Sequence, residues 1–257
     1  MICRQRFWRE TLTPDLYRTS FRKSALRITE LARNDRQIDI PHIPNWTVGD
    51  AVIHVGLVFD FVGQSILQGS PIGEQGVAPW ANDPANQPET SDLDKWFETV
   101  AEDLAEAIWS HQANDKVWTS SKQTNTAQFW MRRMTQEAEM HRWDIEAAYG
   151  DSQPINPELA VDGIDEFYDF FVAERLPEAF AGDGSVHLHA TDAEGEWMIT
   201  RNDAGVVVEK KHGKGDVAAR GPASDLLLFV WNRQSHSALE TFGNTELLED
   251  HQRFLQI

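Results

Sequence analysis

Apolar residues recur three and four positions apart along four stretches of the first 150 residues, as they do on the buried face of an α-helix. These stretches cover residues 13–33, 47–69, 90–112 and 130–150. Thr47 and Asp50 predict a capping box at the start of the second helix, and Ser91 and Asp94 predict another at the start of the third. Polar or proline-containing loops join the four helices, the longest at residues 70–89, which is typical of an antiparallel bundle.

The pattern changes after residue 153. One more helical stretch is followed by short runs in which apolar and polar residues alternate between Gly and Asp turns, the pattern of half-buried strands. The helix is predicted at residues 159–180, the strands at 185–192, 195–202, 204–211 and 216–221, and two final helices at 222–234 and 245–256. The sequence therefore predicts an α+β protein of two domains, a helical bundle at residues 1–153 and a small α+β domain at residues 154–257.

Two polar residues interrupt the apolar face of the fourth predicted helix. Met134, Ala138 and Ile145 share that face with Glu137 and His141. Glu137 and His141 are four residues apart, so their side chains point the same way, one turn from each other. Because burying an unpaired carboxylate costs several kcal/mol, Glu137 needs a partner.

That partner can be a divalent cation or the guanidinium of Arg133, four residues earlier. His54, on the apolar face of the second predicted helix, is the best candidate for a third ligand beside Glu137 and His141. Two imidazoles and a carboxylate suit Zn²⁺ and leave one position open, as in catalytic sites, although Ni²⁺, Fe²⁺ and Mn²⁺ take the same donors. Asp144 would orient the imidazole of His141 or lie on the surface.

Two further motifs offer weaker candidates. His187 and His189 alternate along the first predicted strand and therefore share one face of the sheet. They would pair as metal ligands or, as we expect, face solvent on a half-buried sheet. The Gly-Lys-Gly sequence at residues 213–215 is expected to be a turn rather than a phosphate-binding loop.

The net charge of the chain argues against negatively charged binding partners. The formal net charge of the 257-residue chain is −18, and so acidic a surface repels nucleic acids and anionic membranes. We see no run of about 18 apolar residues that would span a bilayer, and residues 1–15 lack the apolar centre of a secretory signal. Cys3 is the only cysteine, so we expect a reducing, cytoplasmic location, and any reactive thiol must come from a second molecule. We expect a monomer.

Two helical motifs and the C-terminal sequence resemble a known family. Residues 43–56, IPNWTVGDAVIHVG, and residues 129–148, FWMRRMTQEAEMHRWDIEAA, resemble the two signatures of the mycothiol-dependent maleylpyruvate isomerase family, and residues 186–233 resemble its C-terminal domain. The resemblance implies a DinB-like four-helix bundle followed by a small α/β domain similar to sterol carrier proteins. It also implies a divalent metal, usually zinc, bound by the residues at the matching positions, His54, Glu137 and His141.

The resemblance implies a mechanism as well. Mycothiol, the low-molecular-weight thiol of actinobacteria, would occupy the open metal position as a thiolate and attack an electrophilic small-molecule substrate, in an isomerase or an S-transferase. Arg233 would bind a carboxylate of that substrate, and Arg132, Arg133 and Arg142 would supply local positive charge. A metal-dependent hydrolase that uses metal-bound water and a binding protein without catalysis remain the alternatives.

Overall fold

The computed structural model describes residues 12–73, 76–175, 183–202 and 205–254. Cys3, and the part of the predicted helix beyond residue 175, lie outside these residues. The chain separates into two compact units, an N-terminal unit of Thr13–Gln153 and a C-terminal unit that contains Pro154–Ile257.

Four long helices build the N-terminal unit. The second packs mainly against the third, and the first against the fourth, around a core that includes the rings of Phe21, Phe59 and Phe97. A short helix lies in the connection that was predicted to be a loop. The bounds are α1 Pro14–Leu31, α2 Val48–Gln68, the short α3 Val77–Ala81, α4 Leu93–Trp109 and α5 Ala127–Ala148.

One of the two predicted capping boxes is confirmed. At the start of α2, Asp50 N donates to Thr47 Oγ1 over 3.2 Å and Thr47 N donates to Asp50 Oδ2 over 2.9 Å. The second is wrong, because Ser91 lies in a 3₁₀ turn before α4 and no side chain caps that helix. The carboxylate of Asp94 instead accepts a hydrogen bond from Arg33 Nε at 3.1 Å, across 61 residues of sequence.

Helix α2 corrects the expectation about membrane-spanning segments. By length and composition alone, this helix is apolar enough to cross a bilayer. However, 61% of its most apolar stretch is buried inside the protein, where it contacts α4 and α5. Its apolar composition is therefore explained by its position in the core of the bundle.

The described residues of the C-terminal unit form a mixed five-stranded sheet with helices. The strand order is β3-β2-β1-β4-β5, with β1 parallel to β4 and all other neighbours antiparallel. The fifth strand was not predicted from the sequence. The elements are α6 Pro157–Glu166 with a π-helical continuation Phe167–Arg175, β1 Gly184–Ala190, β2 Glu196–Asn202, β3 Gly205–Glu209, β4 Val217–Gly221, α7 Ala223–Val230, β5 Glu240–Gly243 and α8 Glu246–Phe254.

The two faces of β1 carry different side chains. Val186 and Leu188 are fully buried, and the strand contacts α7 and α8. His187 and His189 alternate with these residues and therefore lie on the opposite face. The sheet thus has one apolar face and one face that carries histidines.

Candidate metal centre

The three predicted ligands meet inside the bundle. Glu137 and His141 lie one turn apart on α5, and His54 comes from α2. The Nε2 atoms of His54 and His141 each lie 3.5 Å from Glu137 Oε1. One ligand atom from each residue can be chosen so that all three lie within 4.8 Å of one another, which is close enough to hold a single ion.

The cluster is buried at one end and accessible at the other. The side chain of His141 is 9% exposed and that of Glu137 is 16% exposed, whereas that of His54 is 38% exposed. His54 is therefore the side of the cluster that solvent reaches most readily.

Neighbouring charges orient two of the three side chains. Arg133 donates to Glu137 Oε2 at 2.8 Å, which leaves Oε1 to face the two imidazoles. Asp144 Oδ2 lies 2.9 Å from His141 Nδ1, as an ion pair rather than an aligned hydrogen bond, and this directs Nε2 towards Glu137. The sequence suggested either Arg133 or a cation as the partner of Glu137. Because Arg133 binds Oε2 of this carboxylate, a cation can still bind Oε1.

Two residues of the site were missed in the sequence. His42 Nε2 lies 2.6 Å from Asp144 Oδ1, so Asp144 joins two histidines. The ring of Trp46 lies 4.9 Å from that of His54 and stacks on that of His141, with centroids 6.3 Å apart. Both residues lie before α2 in a loop that has no periodic pattern. The sequence offered two signals for them, the imidazole of His42 and the place of Trp46 in the first family motif.

The surroundings shift the pKa values of two ligands. Burial would raise the pKa of Glu137, but hydrogen bonds from His141 and His54 and the charge of Arg133 outweigh burial and hold this pKa well below its usual range. Burial would lower the pKa of His141, but the carboxylates of Asp144 and Glu137 outweigh it and raise this pKa to about 9. Because a ligand imidazole must be neutral, a cation must displace this proton.

We expect the metal-free protein to lose stability as the pH rises from 6.5 to about 9. Folding raises the pKa of His141, so the protonated imidazole stabilises the folded state. This stabilisation is fully present below the unfolded-state pKa of 6.5 and is lost as the pH rises through about 9. Urea unfolding of the chelated protein at several pH values measures how the free energy of unfolding changes with pH. The His141→Gln variant should give a flatter profile, and a flat profile for the unchanged protein would contradict the raised pKa.

The arginines expected near the site have different surroundings. Arg133 contacts the triad, but Arg142 is buried against Glu139 and Glu146, at 3.0 and 2.5 Å, so the expectation that its charge is available to a ligand was wrong. Arg233 follows α7 in the C-terminal unit, where its guanidinium donates to Trp231 O at 3.0 Å. Its contact with a substrate stays a prediction.

Both the N-terminal and the C-terminal regions of this chain are similar to known proteins. The family model of the mycothiol maleylpyruvate isomerase N-terminal domain matches residues 17–146, and that of the MDMPI C-terminal domain matches residues 158–250. A crystal structure of the mycothiol-dependent maleylpyruvate isomerase is similar over 90% of this chain and 93% of that chain, with a TM-score of 0.63 and 14% identity. A mutant of that isomerase with one histidine changed to alanine is similar over the same shares, with a TM-score of 0.61 and 12% identity. No curated protein sequence matches significantly.

The fold and the cluster define a class of α+β protein in which a helical bundle carries a His-Glu-His candidate metal centre. The chain belongs to the mycothiol-dependent maleylpyruvate isomerase family, because the N-terminal family model alone matches more than half of it. The predicted family is therefore confirmed, as is the predicted helical N-terminal region followed by an α+β region. The similarity to sterol carrier proteins stays a prediction.

Proposed function

We propose that this protein is a metal- and mycothiol-dependent enzyme, an isomerase or an S-transferase, that acts on a small electrophilic substrate. The observation that carries the proposal is the convergence of His54, Glu137 and His141 on one point, with His54 accessible. Two neutral imidazoles and one carboxylate fit a divalent ion, and Zn²⁺ is the ion we favour for this donor set.

A divalent ion held there would lower the pKa of a coordinated thiol and so provide a thiolate at neutral pH. The chain itself supplies the other requirements. Three protein ligands leave one position of a tetrahedral site for an exogenous thiol. Arg133 keeps the carboxylate of Glu137 ionised and oriented, and Asp144, 2.9 Å from His141 Nδ1, directs His141 Nε2 towards Glu137. Cys3 is the only cysteine of the sequence, so in this mechanism the thiol is supplied by a second molecule.

The similar solved proteins suggest the class of substrate. Both are described as mycothiol-dependent maleylpyruvate isomerase, an enzyme whose name denotes an unsaturated keto acid as substrate. An electrophilic acid of this kind would need a cationic group for its carboxylate, and we propose Arg233 for that role. We also propose a cytoplasmic location, where thiols are kept reduced.

We expect cobalt-substituted protein to develop an intense near-ultraviolet sulfur-to-metal band when mycothiol is added. The free position of the triad would be filled by thiolate sulfur, and binding would release a proton. Absorption spectroscopy during a titration measures the band, and a pH indicator measures the proton. The band should be stronger with mycothiol than with free cysteine at equal concentration.

Two variants serve as controls for this experiment. Cys3→Ser should keep the band, because the sulfur comes from the added thiol. His141→Ala should lose it, because the triad no longer holds cobalt. If the unchanged cobalt protein shows no band at saturating mycothiol, the thiol-dependent mechanism is wrong, and a hydrolase that uses metal-bound water becomes the better explanation.

A further inference from the structure

A second histidine cluster lies on the sheet of the C-terminal unit. It consists of His187 and His189 on β1, Glu196 at the start of β2 and His212 between β3 and β4. Glu196 is the direct cross-strand partner of His189. One ligand atom from each residue can be chosen so that all four lie within 4.8 Å of one another. The cluster lies within one unit and shares no residue with the triad of the bundle.

Three imidazoles converge on one carboxylate in this cluster. His189 Nδ1 lies 3.0 Å from Glu196 Oε1, while His187 Nε2 and His212 Nδ1 lie 3.3 and 3.0 Å from Glu196 Oε2. The rings of His187 and His212 are perpendicular, with centroids 5.5 Å apart. These side chains come from three separate segments of the chain, so their convergence is a property of the folded sheet.

Glycines bring the segment that carries His212 onto the sheet. A Cβ added at Gly215 would lie 2.8 Å from Val217 O, closer than real Cβ atoms approach backbone, and 3.1 Å from the backbone nitrogen of His187, which is a tight contact. Only glycine permits this approach. The Gly-Lys-Gly sequence, expected to be a turn, thus places residues 210–216 beside β1, with His212 above His187.

The burial of the cluster also differs from the sequence expectation. His187 was expected to face solvent, but it is only 5% exposed. His189 and Glu196 are half-buried, and the side chain of His212 is 81% exposed. The buried imidazole of His187 has the carboxylate of Glu196 as a partner, at 3.3 Å. The exposed His212 leaves a direct route from solvent to the cluster.

The spacing of the donor atoms suits a tetrahedral ion. Ligands bound at about 2.0–2.2 Å around a tetrahedral Zn²⁺ lie about 3.3–3.5 Å from one another. His187 Nε2 and His212 Nδ1 lie 3.3 and 3.0 Å from the same oxygen, Glu196 Oε2, while His189 Nδ1 faces Oε1, and all four ligands lie within 4.8 Å of one another. Three protonated imidazoles around one carboxylate would repel one another, whereas three neutral imidazoles can direct their lone pairs at one cation. The donor set of three nitrogens and one oxygen is one that Zn²⁺ accepts.

We propose that His187, His189, Glu196 and His212 bind a second divalent ion of the Zn²⁺ type. All four positions of a tetrahedral site are filled by protein ligands, so the site is structural rather than catalytic. Its effect is to fasten residues 210–216 to the β1–β2 hairpin. This proposal does not depend on the metal or the thiol chemistry of the bundle.

Metal stoichiometry tests the site directly. The full-length protein is stripped with a chelator, loaded with Zn²⁺, freed of excess ion and analysed by mass spectrometry for zinc. We expect two equivalents per chain in the unchanged protein and one in His212→Ala or Glu196→Gln. His212 is exposed, so its removal does not disturb the core. The half-buried His111, which lies 3.9 Å from Asp115 and belongs to neither cluster, provides a control, and His111→Ala should keep two.

Limited proteolysis tests the structural role. Trypsin can cleave after Lys211 and Lys214, which flank His212. At a free Zn²⁺ concentration of 100 times its dissociation constant, opening of this segment should become about 100-fold rarer. Cleavage at these two sites should therefore slow by a similar factor in the unchanged protein and in His141→Ala, but not in His212→Ala.

The two metal proposals can fail separately. Loss of one equivalent in His212→Ala and Glu196→Gln, with Zn²⁺-dependent protection from trypsin, supports the second site whatever happens at the triad. If both variants keep the zinc content of the unchanged protein and Zn²⁺ does not slow cleavage, the cluster is a hydrogen-bonded group without metal, and the proposal is overturned. A cobalt–thiolate band that is lost in His141→Ala but kept in Glu196→Gln assigns the thiol to the bundle alone.

Discussion

Replacing His141 by alanine should remove the divalent ion from the bundle and leave the helices folded. Changing a residue that only orients a ligand already costs about 10–100-fold in metal affinity, so losing a direct ligand should cost more than about 100-fold. After equal loading, the variant should contain one equivalent of zinc less than the unchanged protein. Zinc analysis and far-ultraviolet circular dichroism measure the two outcomes.

Matched changes show whether the effect belongs to the triad. Glu137→Gln should also contain one equivalent of zinc less, because it removes the charge of the third ligand. His111→Ala should keep the zinc content of the unchanged protein. Metal-free protein prepared by chelation should keep its helical circular dichroism, since the aromatic core of the bundle does not involve the triad. Full retention of zinc in His141→Ala would contradict the assignment of the ligands.

Replacing Arg142 by alanine should destabilise the bundle by about 3–5 kcal/mol, because it removes the cationic partner of the buried carboxylate of Glu139. Glu146 also loses this partner but keeps Arg27, whose Nε lies 3.1 Å from Glu146 Oε1. The side chain of Arg142 is 7% exposed, and its partners Glu139 and Glu146 are 8% and 3% exposed. Arg142 also donates to Gln153 O at 3.2 Å, so its loss affects the end of the bundle. Urea unfolding and the midpoint of thermal unfolding measure the effect.

An exposed ion pair provides the control for this change. Arg33 lies 3.1 Å from Asp94, but its side chain is 55% exposed, and Arg33→Ala should cost about 0–1 kcal/mol. For a chain of this size, the loss expected for Arg142→Ala corresponds to a fall in melting temperature of about 6–20 °C. Its zinc content should be unchanged, because the guanidinium of Arg142 pairs with Glu139 and Glu146 and not with a predicted ligand. A loss below about 1 kcal/mol would contradict the buried-pair interpretation.

The long helices and four of the five strands were predictable from the sequence because each depends on its own local pattern. Helix α2 has a capping box at Thr47 and a nearly continuous apolar surface, and both are encoded within the helix. The polar pair Glu137 and His141 was identifiable because helical spacing alone puts both on one stripe. The choice of His54 as their neighbour required only that α2 and α5 pack together, as they do.

Other features were decided only by contacts between residues that are distant in sequence. The strand Glu240–Gly243 is short and largely exposed, so it has no periodic signal and exists because it pairs with β4. Asp94 was predicted to take part in a capping box, but its carboxylate accepts a hydrogen bond from Arg33 instead. His42 joins the site through Asp144, 102 residues later, and no local pattern could show that contact.

The sequence by itself determined the helical bundle, four of the five described strands, the family and the three residues that could hold a metal in the bundle. These follow from periodicity, helix-capping residues and motif spacing, which act over a few residues. The tertiary structure decided how charges are paired: Arg142 is held by two buried glutamates, and Asp144 lies between two histidines. It also decided that the ring of His212 lies 5.5 Å from that of His187, on a segment in which Gly215 approaches the backbone of β1 closely. Pairing energies depend on distance in space, which the order of residues along the chain does not specify.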